Sequence, residues 1–268
     1  SQVTLPRPPP MNNRRRSNPA LRSGKSRMME ILVGAAVLVI AIGIGTTVLN
    51  SGKIKRSKAE ALQKMSRIGE ALRGYLDDNN GEFPLEDAPG KDDWLNATKP
   101  EAEKVWYNAL TKQIDATPVS ELGDNPASQF YQKSYPLFLS GADYPKTKRE
   151  GKPYFAFGFN SSLQIKAEDG TEAPANLAGI QHQDRTVAFL ERGVKKGEKT
   201  NKLQGGFDGG SKANAKNFVG RYKGKGHILF IDGHVEEFSF EDLTDTTGQA
   251  VNGQANVYWT GDPDSRPN

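Results

Sequence analysis

The chain has 268 residues, with 36 Lys and Arg against 32 Asp and Glu, and no cysteine. Disulfides, thiolate metal sites and cysteine nucleophiles are thereby excluded, and the length admits one sizeable domain plus extensions. Seven basic residues, Arg7, Arg14, Arg15, Arg16, Arg22, Lys25 and Arg27, precede Met28 with no acid among them, which leaves 29 basic and 32 acidic residues beyond. A net-acidic body without a basic, aromatic-studded groove excludes a nucleic-acid binder.

Residues 1–27 join a Pro-rich start to that basic run and hold few apolar side chains. Such a composition cannot bury a core, so a disordered basic cytoplasmic tail or leader is expected. Glu30 then opens a run of nineteen uncharged residues, ILVGAAVLVIAIGIGTTVL at 31–49. As a helix this run is about 28 Å long, near the hydrocarbon thickness of a bilayer. It is apolar on every side, so lipid or a bundle of identical helices must surround it, and residues 28–50 are predicted to be a transmembrane half-helix. The rivals are an unusually buried core helix and a cleavable signal peptide, which has a shorter apolar core of roughly 7–15 residues and a small-x-small cleavage site.

From residue 51 the pattern becomes amphipathic without a breaker. Ile54, Ala61, Leu62, Met65, Ile68, Gly69, Leu72, Tyr75 and Leu76 form one stripe, with Lys, Arg, Glu and Gln opposite. Residues 51–80 are therefore predicted to be the amphipathic half of the same helix, stopped at Asn79-Asn80-Gly81. Residues 81–268 form the globular part. Residues 85–150 are loop-rich, with a short helix expected at 101–114 whose aromatic residues pack in the core. Strands are expected in 153–163 and 185–193, with an exposed Gly/Lys/Asn-rich loop over 195–220. GHILFIDGHVEEFSF (226–240) reads as a hairpin turning at Asp232 and Gly233, which supply positive φ for a two-residue turn. An edge strand is expected near 256–260.

These residues resemble a known family. MMEILVGAAVLVIAIGIG (28–45) is similar to the amino-terminal segment of type IV pilins and type II secretion pseudopilins, and RIGEALRGYLDDNNGEFP (67–84) to the end of that helix in major pseudopilins. VWYNAL (105–110), the FGFN strand, the RTVAFLE strand and LFIDGHV (229–235) resemble the prepilin-type group named for a His-x9-Asp-Gly motif. Tyr222 stands where that motif has its histidine. The resemblance implies a structural subunit, not an enzyme, held in the bacterial inner membrane by a single pass, with its C-terminal domain in the periplasm. Its implied partners are like or related pilin subunits, inner-membrane lipid and a prepilin peptidase. It also gives Glu30 an assembly role, neutralising the amino group of a neighbouring subunit. Gly24 precedes Glu30 by six positions, one more than the family spacing, so Gly24, Lys25 and Ser26 are the candidate processing site.

Other candidates come from the residues themselves. Ala41 and Gly45 are a small-x3-small pair, and Gly34 and Gly43 add small surface for helix packing. His227, Asp232 and His234 suggest a metal or acid–base cluster, but strand alternation turns His227 away from the other two, and Asp232 is better explained by the turn. Asp262 and Asp264, in a C-terminal loop, are weak calcium candidates, as in major pseudopilins; no other cofactor is expected. No phosphate loop, dinucleotide fingerprint or nucleophile elbow is present. The expected fold is α+β, pilin-like: a long N-terminal transmembrane and amphipathic helix packed on a small antiparallel sheet. The expected function is a subunit of a type II secretion or type IV pilus-like fibre. The alternatives are a membrane-anchored periplasmic binding or sensor domain that does not polymerise and, with little support, a tethered hydrolase using His227, Asp232 and His234.

Overall fold

The computed structural model describes residues 23–88, 90, 93–166 and 172–267, with side chains from Ser51 onward except at 165, 166 and 172. Two units make up the chain, Ser1–Gly52 and Lys53–Asn268, and helix α1, Ser23–Asp78, contributes residues to both. Within the second unit α1 buries Ala61, Met65, Ile68, Ala71, Leu72, Tyr75 and Leu76. That spacing of three and four places one stripe against the domain. Leu62, read from the sequence as part of the stripe, is instead 42% exposed on its flank. The helix stops where Asn80 and Gly81 take positive φ and the Gly81 N–H reaches back to the Leu76 carbonyl at 2.8 Å. This left-handed exit satisfies a carbonyl that the last turn leaves open.

Short helices α2 (Trp94–Ala97), α3 (Trp106–Gln113) and α4 (Pro126–Phe130) follow, linked by loops that wrap α1. The Lys64 ammonium, on α1, donates to the carbonyls of Lys133, Tyr135 and Phe138 at 3.1, 2.7 and 2.5 Å. Burial lowers its pKa, opposed by nearby Glu60. Glu60 also accepts from Ser140 N at 3.1 Å. Two charged side chains thus fix the 133–140 loop to the helix. Trp106 is fully buried, with edge-to-face contact on Phe189 at 5.0 Å and its indole N–H donated to the Ser211 carbonyl at 3.0 Å.

The strands are β1 (Phe157–Asn160), β2 (Gln164–Lys166), β3 (Glu172–Pro174), β4 (Val187–Glu191), β5 (Lys212–Ala213), β6 (Lys225–Phe230) and β7 (Val235–Ser239), followed by helix α5 (Phe240–Leu243). β2 and β3 pair by themselves, and the others form one sheet ordered β5-β1-β4-β6-β7. Both faces of this sheet are covered. Phe157, Phe159, Phe189 and Leu229 belong to the cluster that holds α1 and the aromatic loops. Val187, Leu190, Ile228 and Phe230 belong to a second cluster with Phe218, Phe240, Val257 and Trp259. A register shift falls between Val187 and Phe189, where Ala188 and Phe189 both join the first cluster, and because both faces are covered all five β4 residues are buried.

The expected fold class is corrected on two counts. The sheet is mixed, not antiparallel, because β5 runs parallel to β1, paired Phe159 with Lys212 and Asn160 with Ala213. The stretch read as an exposed loop supplies that strand and buries Ala213, Ala215, Phe218 and Val219. Secondly, among the described residues no helix is long and apolar enough to cross a membrane. The described side chains of α1 include Lys53, Lys55, Arg56, Lys58, Glu60, Lys64, Arg67, Glu70, Arg73, Asp77 and Asp78, which never leave an apolar span. The transmembrane helix and the single-pass inner-membrane, periplasmic placement are withdrawn on this finding. The apolar run 31–49 that prompted them has its side chains outside the described ones.

The β6–β7 turn also differs from expectation. Only Gly233 has positive φ, at 96°, and its N–H bonds the Phe230 carbonyl at 3.0 Å, while the Phe230 N–H bonds the His234 carbonyl at 3.0 Å. The loop is therefore three residues, Ile231 to Gly233, ending in a left-handed glycine. Its third residue lies under α1: a Cβ at Gly69 would stand 2.8 Å from Leu229 Cδ1 and 3.1 Å from the Gly233 carbonyl oxygen. Gly69→Val should thus lower stability by about 1–3 kcal/mol through overpacking, read as a fall in the thermal unfolding midpoint. Gly52→Ala, where nothing lies within 4 Å, should be neutral or stabilising by up to ~1 kcal/mol.

Candidate functional site

Buried polar residues of the second unit converge on Glu191, the last residue of β4, which is fully buried. Its Oε1 lies 2.6 Å from His227 Nδ1 and accepts the His227 backbone N–H at 3.1 Å. Its Oε2 accepts from Tyr222 Oη at 3.1 Å and Arg221 Nη1 at 3.2 Å. Arg221 also grips Glu198 with two nitrogens, Nε at 2.8 Å and Nη2 at 3.1 Å, and donates to the Arg192 carbonyl at 2.6 Å. Glu198 in turn accepts the Val194 N–H at 2.7 Å and the Asp143 N–H at 3.2 Å. A carboxylate taken from water costs several kcal/mol unless its lone pairs are filled, and here they are. Burial by itself would lower the Arg221 pKa, but Glu198 and Glu191 outweigh it and hold the guanidinium protonated. Burial, then Glu191, pushes the Tyr222 phenol up.

Asn160, at the end of β1, makes a second buried junction. Its Nδ2 donates to the carbonyls of Val187 at 2.8 Å and Trp259 at 2.7 Å, tying two strands to the C-terminal segment. Nearby, Arg192 donates to the carbonyls of Gly210 (2.9 Å), Gly206 (2.6 Å) and Lys212 and to Asp208. Burial alone would raise the Asp208 pKa, but Arg192 and the Gly210 N–H bring it below the usual value. Arg192, Gly206, Asp208, Gly210 and Lys212 border a cleft of about 630 Å3 that also takes in Glu86, Ser161 and Gln164.

The sequence-derived candidates fall in different places. Residues 1–22 of the tail lie outside the described residues, as do the side chains of Gly24, Lys25, Ser26, Glu30, Gly34, Ala41, Gly43 and Gly45. His227 is buried against Glu191. Asp232 and His234 sit at the hairpin end, where Asp232 Oδ1 is 2.6 Å from His234 Nδ1 and His234 stacks on Phe230. Asp232 Oδ1 also accepts the His234 N–H at 3.1 Å, bracing the turn at Gly233. Asp262 accepts from Asp264 N and Ser265 Oγ, both at 3.0 Å, folding its own loop. Among the described residues no group of three or more His, Asp or Glu side chains is placed to hold a metal ion.

The sequence reading missed the Glu191–Arg221–Glu198 network. The available signal was an acid closing the apolar run VAFLE with no polar residue alternating against it. Strands β1, β4 and β6 supply Asn160, Glu191 and His227 to these junctions, and Tyr222 bonds Glu191 from the loop before β6. Compared with known proteins, the chain matches no family model, no curated protein and no solved structure.

Glu191→Ala should cost about 3–5 kcal/mol, since it takes the carboxylate from buried His227 and Tyr222 and leaves Arg221 with that of Glu198 alone, whereas His234→Ala at the partly exposed turn should cost under ~1 kcal/mol. Denaturant unfolding of both variants measures the difference. Burial raises the pKa of Tyr131, Tyr135, Tyr144 and Tyr222 above the ordinary 10.0. The unfolded chain therefore binds fewer of these protons above pH 10. The stabilisation is complete below pH 10 and declines as pH rises beyond it. Alkaline titration should show four tyrosines ionising only together with loss of tertiary structure.

Proposed function

We propose that the chain is a structural subunit of a pilin- or pseudopilin-like assembly, in which α1 helices of neighbouring copies pack together. The observation that carries this reading is the division of α1 into two faces. One stripe is consumed by its own domain, while Lys55, Arg56, Ala59, Leu62, Gln63, Glu70 and Asp77 are exposed. Residues 31–49, in the same helix, carry no charge on any side. In this reading sister helices cover them. The sequence resemblance supports the same reading, and the buried polar residues act as structural ties in it, with no catalytic step assigned.

A second reading, a binding domain that does not polymerise, is favoured by the cleft beside Arg192. Gln164 lines it, and among the described residues the buried Oε1 of Gln164 has no hydrogen-bond partner. Cysteines introduced one at a time at 31–49 separate the two, because the chain has none of its own. Assembly predicts oxidative crosslinks between copies, strongest on one side of the helix. A full-length chain that stays monomeric and unlinked at every position would overturn it in favour of the binding domain.

A further inference from the structure

The exposed face of α1 is basic at one end and acidic at the other, with exposed Arg67, Glu70 and Arg73 between. Lys53, Lys55 and Arg56 are exposed at one end of the described stretch. Beside them opens a cleft of about 650 Å3 whose lining includes Lys53, Arg56, Gln63, Lys64 and Lys133. Lys64 is occupied by its three carbonyls and Glu60 by Ser140, so Lys53, Arg56 and the exposed Lys133 supply the cleft's available charge. At the other end Asp77, Asp78 and, just past the helix, Glu82 are exposed. No basic residue occupies the last turn. Acids there sit at the negative end of the helix dipole, an unfavourable place, and of these Asp78 accepts from Gln113 Nε2 at 3.0 Å. At 100° per residue Asp78 falls about 20° from Lys53 and about 40° from Arg56 around the axis, and Asp77 about 120° and about 60° from them, so Asp78 is the acid that shares their side of the helix. It is separated from them by about 33–38 Å along the axis.

We propose that this face is a contact between copies of the chain: the acidic block Asp77, Asp78 and Glu82 of one copy seats on the basic cleft at Lys53, Arg56 and Lys133 of the next. This rests on the assembly reading and adds its geometry. The two patches differ, so the contact is heterologous, and a copy that offers one patch leaves the other open. With helices parallel, each copy is displaced along the axis by about the spacing of the blocks, and repetition gives an open filament. Exposed charges make the contact sensitive to salt.

The test uses the full chain carrying Val37→Cys as a reporter of helix association. One variant adds Lys53→Glu, Arg56→Glu and Lys133→Glu. A second adds Asp77→Lys, Asp78→Lys and Glu82→Lys, and a third combines all six. All six positions are exposed, and unchanged thermal midpoints check that each variant folds. Either triple reversal should reduce crosslinked species about tenfold at low salt, and the combination should restore them, because the blocks are complementary again. If basic reversal alone lowers the yield while acidic reversal leaves it unchanged, the cleft takes some other anion and the copy-to-copy contact is overturned. Sedimentation with phosphatidylserine vesicles and competition by inorganic phosphate then identify which. If both reversals leave the yield intact, assembly stands and this contact does not. Absence of crosslinks at every tested position in 31–49 of the otherwise unaltered chain overturns the assembly reading itself.

Discussion

Because residue 69 has no side chain, α1 comes into contact with the β6–β7 turn, and the rest of the domain is built around that seat. Leu229 and the Gly233 carbonyl occupy the space a Cβ would need. Once the helix is seated, Met65, Ile68 and Leu72 reach the same core as Phe159 and Phe189, and the 133–140 loop closes over Lys64. The far side of the sheet is covered by Phe218, Phe240 and Trp259, so the central strands meet no water on either face. This double burial explains why Glu191 needs so many partners. A carboxylate at the end of a strand enclosed on both sides must find His, Tyr and Arg, because no solvent is available to it.

Much of this was legible in the sequence wherever the signal was local. The stripe from Ala61 to Leu76 has helical spacing, and the Asn-Asn-Gly stop supplies the positive φ that ends the helix. The hairpin was legible in its strands but not in its turn, since a pair of turn residues does not reveal whether one or both take positive φ. β5 was not legible at all. It is two residues long, lies in a stretch dominated by Gly, Lys and Asn, and exists because Arg192 and β1 hold it in place. Leu62 followed the period of its neighbours yet falls on the flank, where the domain does not reach. The membrane reading rested on hydropathy at 31–49 and on the sequence resemblance, and among the described residues no helix is long and apolar enough to carry it.

The polar network shows how far motif-based reasoning goes. His227, Asp232 and His234 are close in sequence and invite a chemical interpretation, but their side chains serve two separate structural tasks. Glu191 and Arg221, thirty positions apart, meet in the interior, and no spacing rule joins them. Tyr222 supplies one hydroxyl to that junction.

Arg192 has one further effect. Just before β5 the Ser211 carbonyl turns inward to accept the Phe159 N–H of β1, so the carbonyls of Gly210 and Lys212 on either side turn outward, and the guanidinium occupies both. A foreign strand arriving at that margin finds its acceptors already taken. Lateral growth, the route by which open sheet borders recruit neighbours and drift toward amyloid, is stoppered on the β5 side.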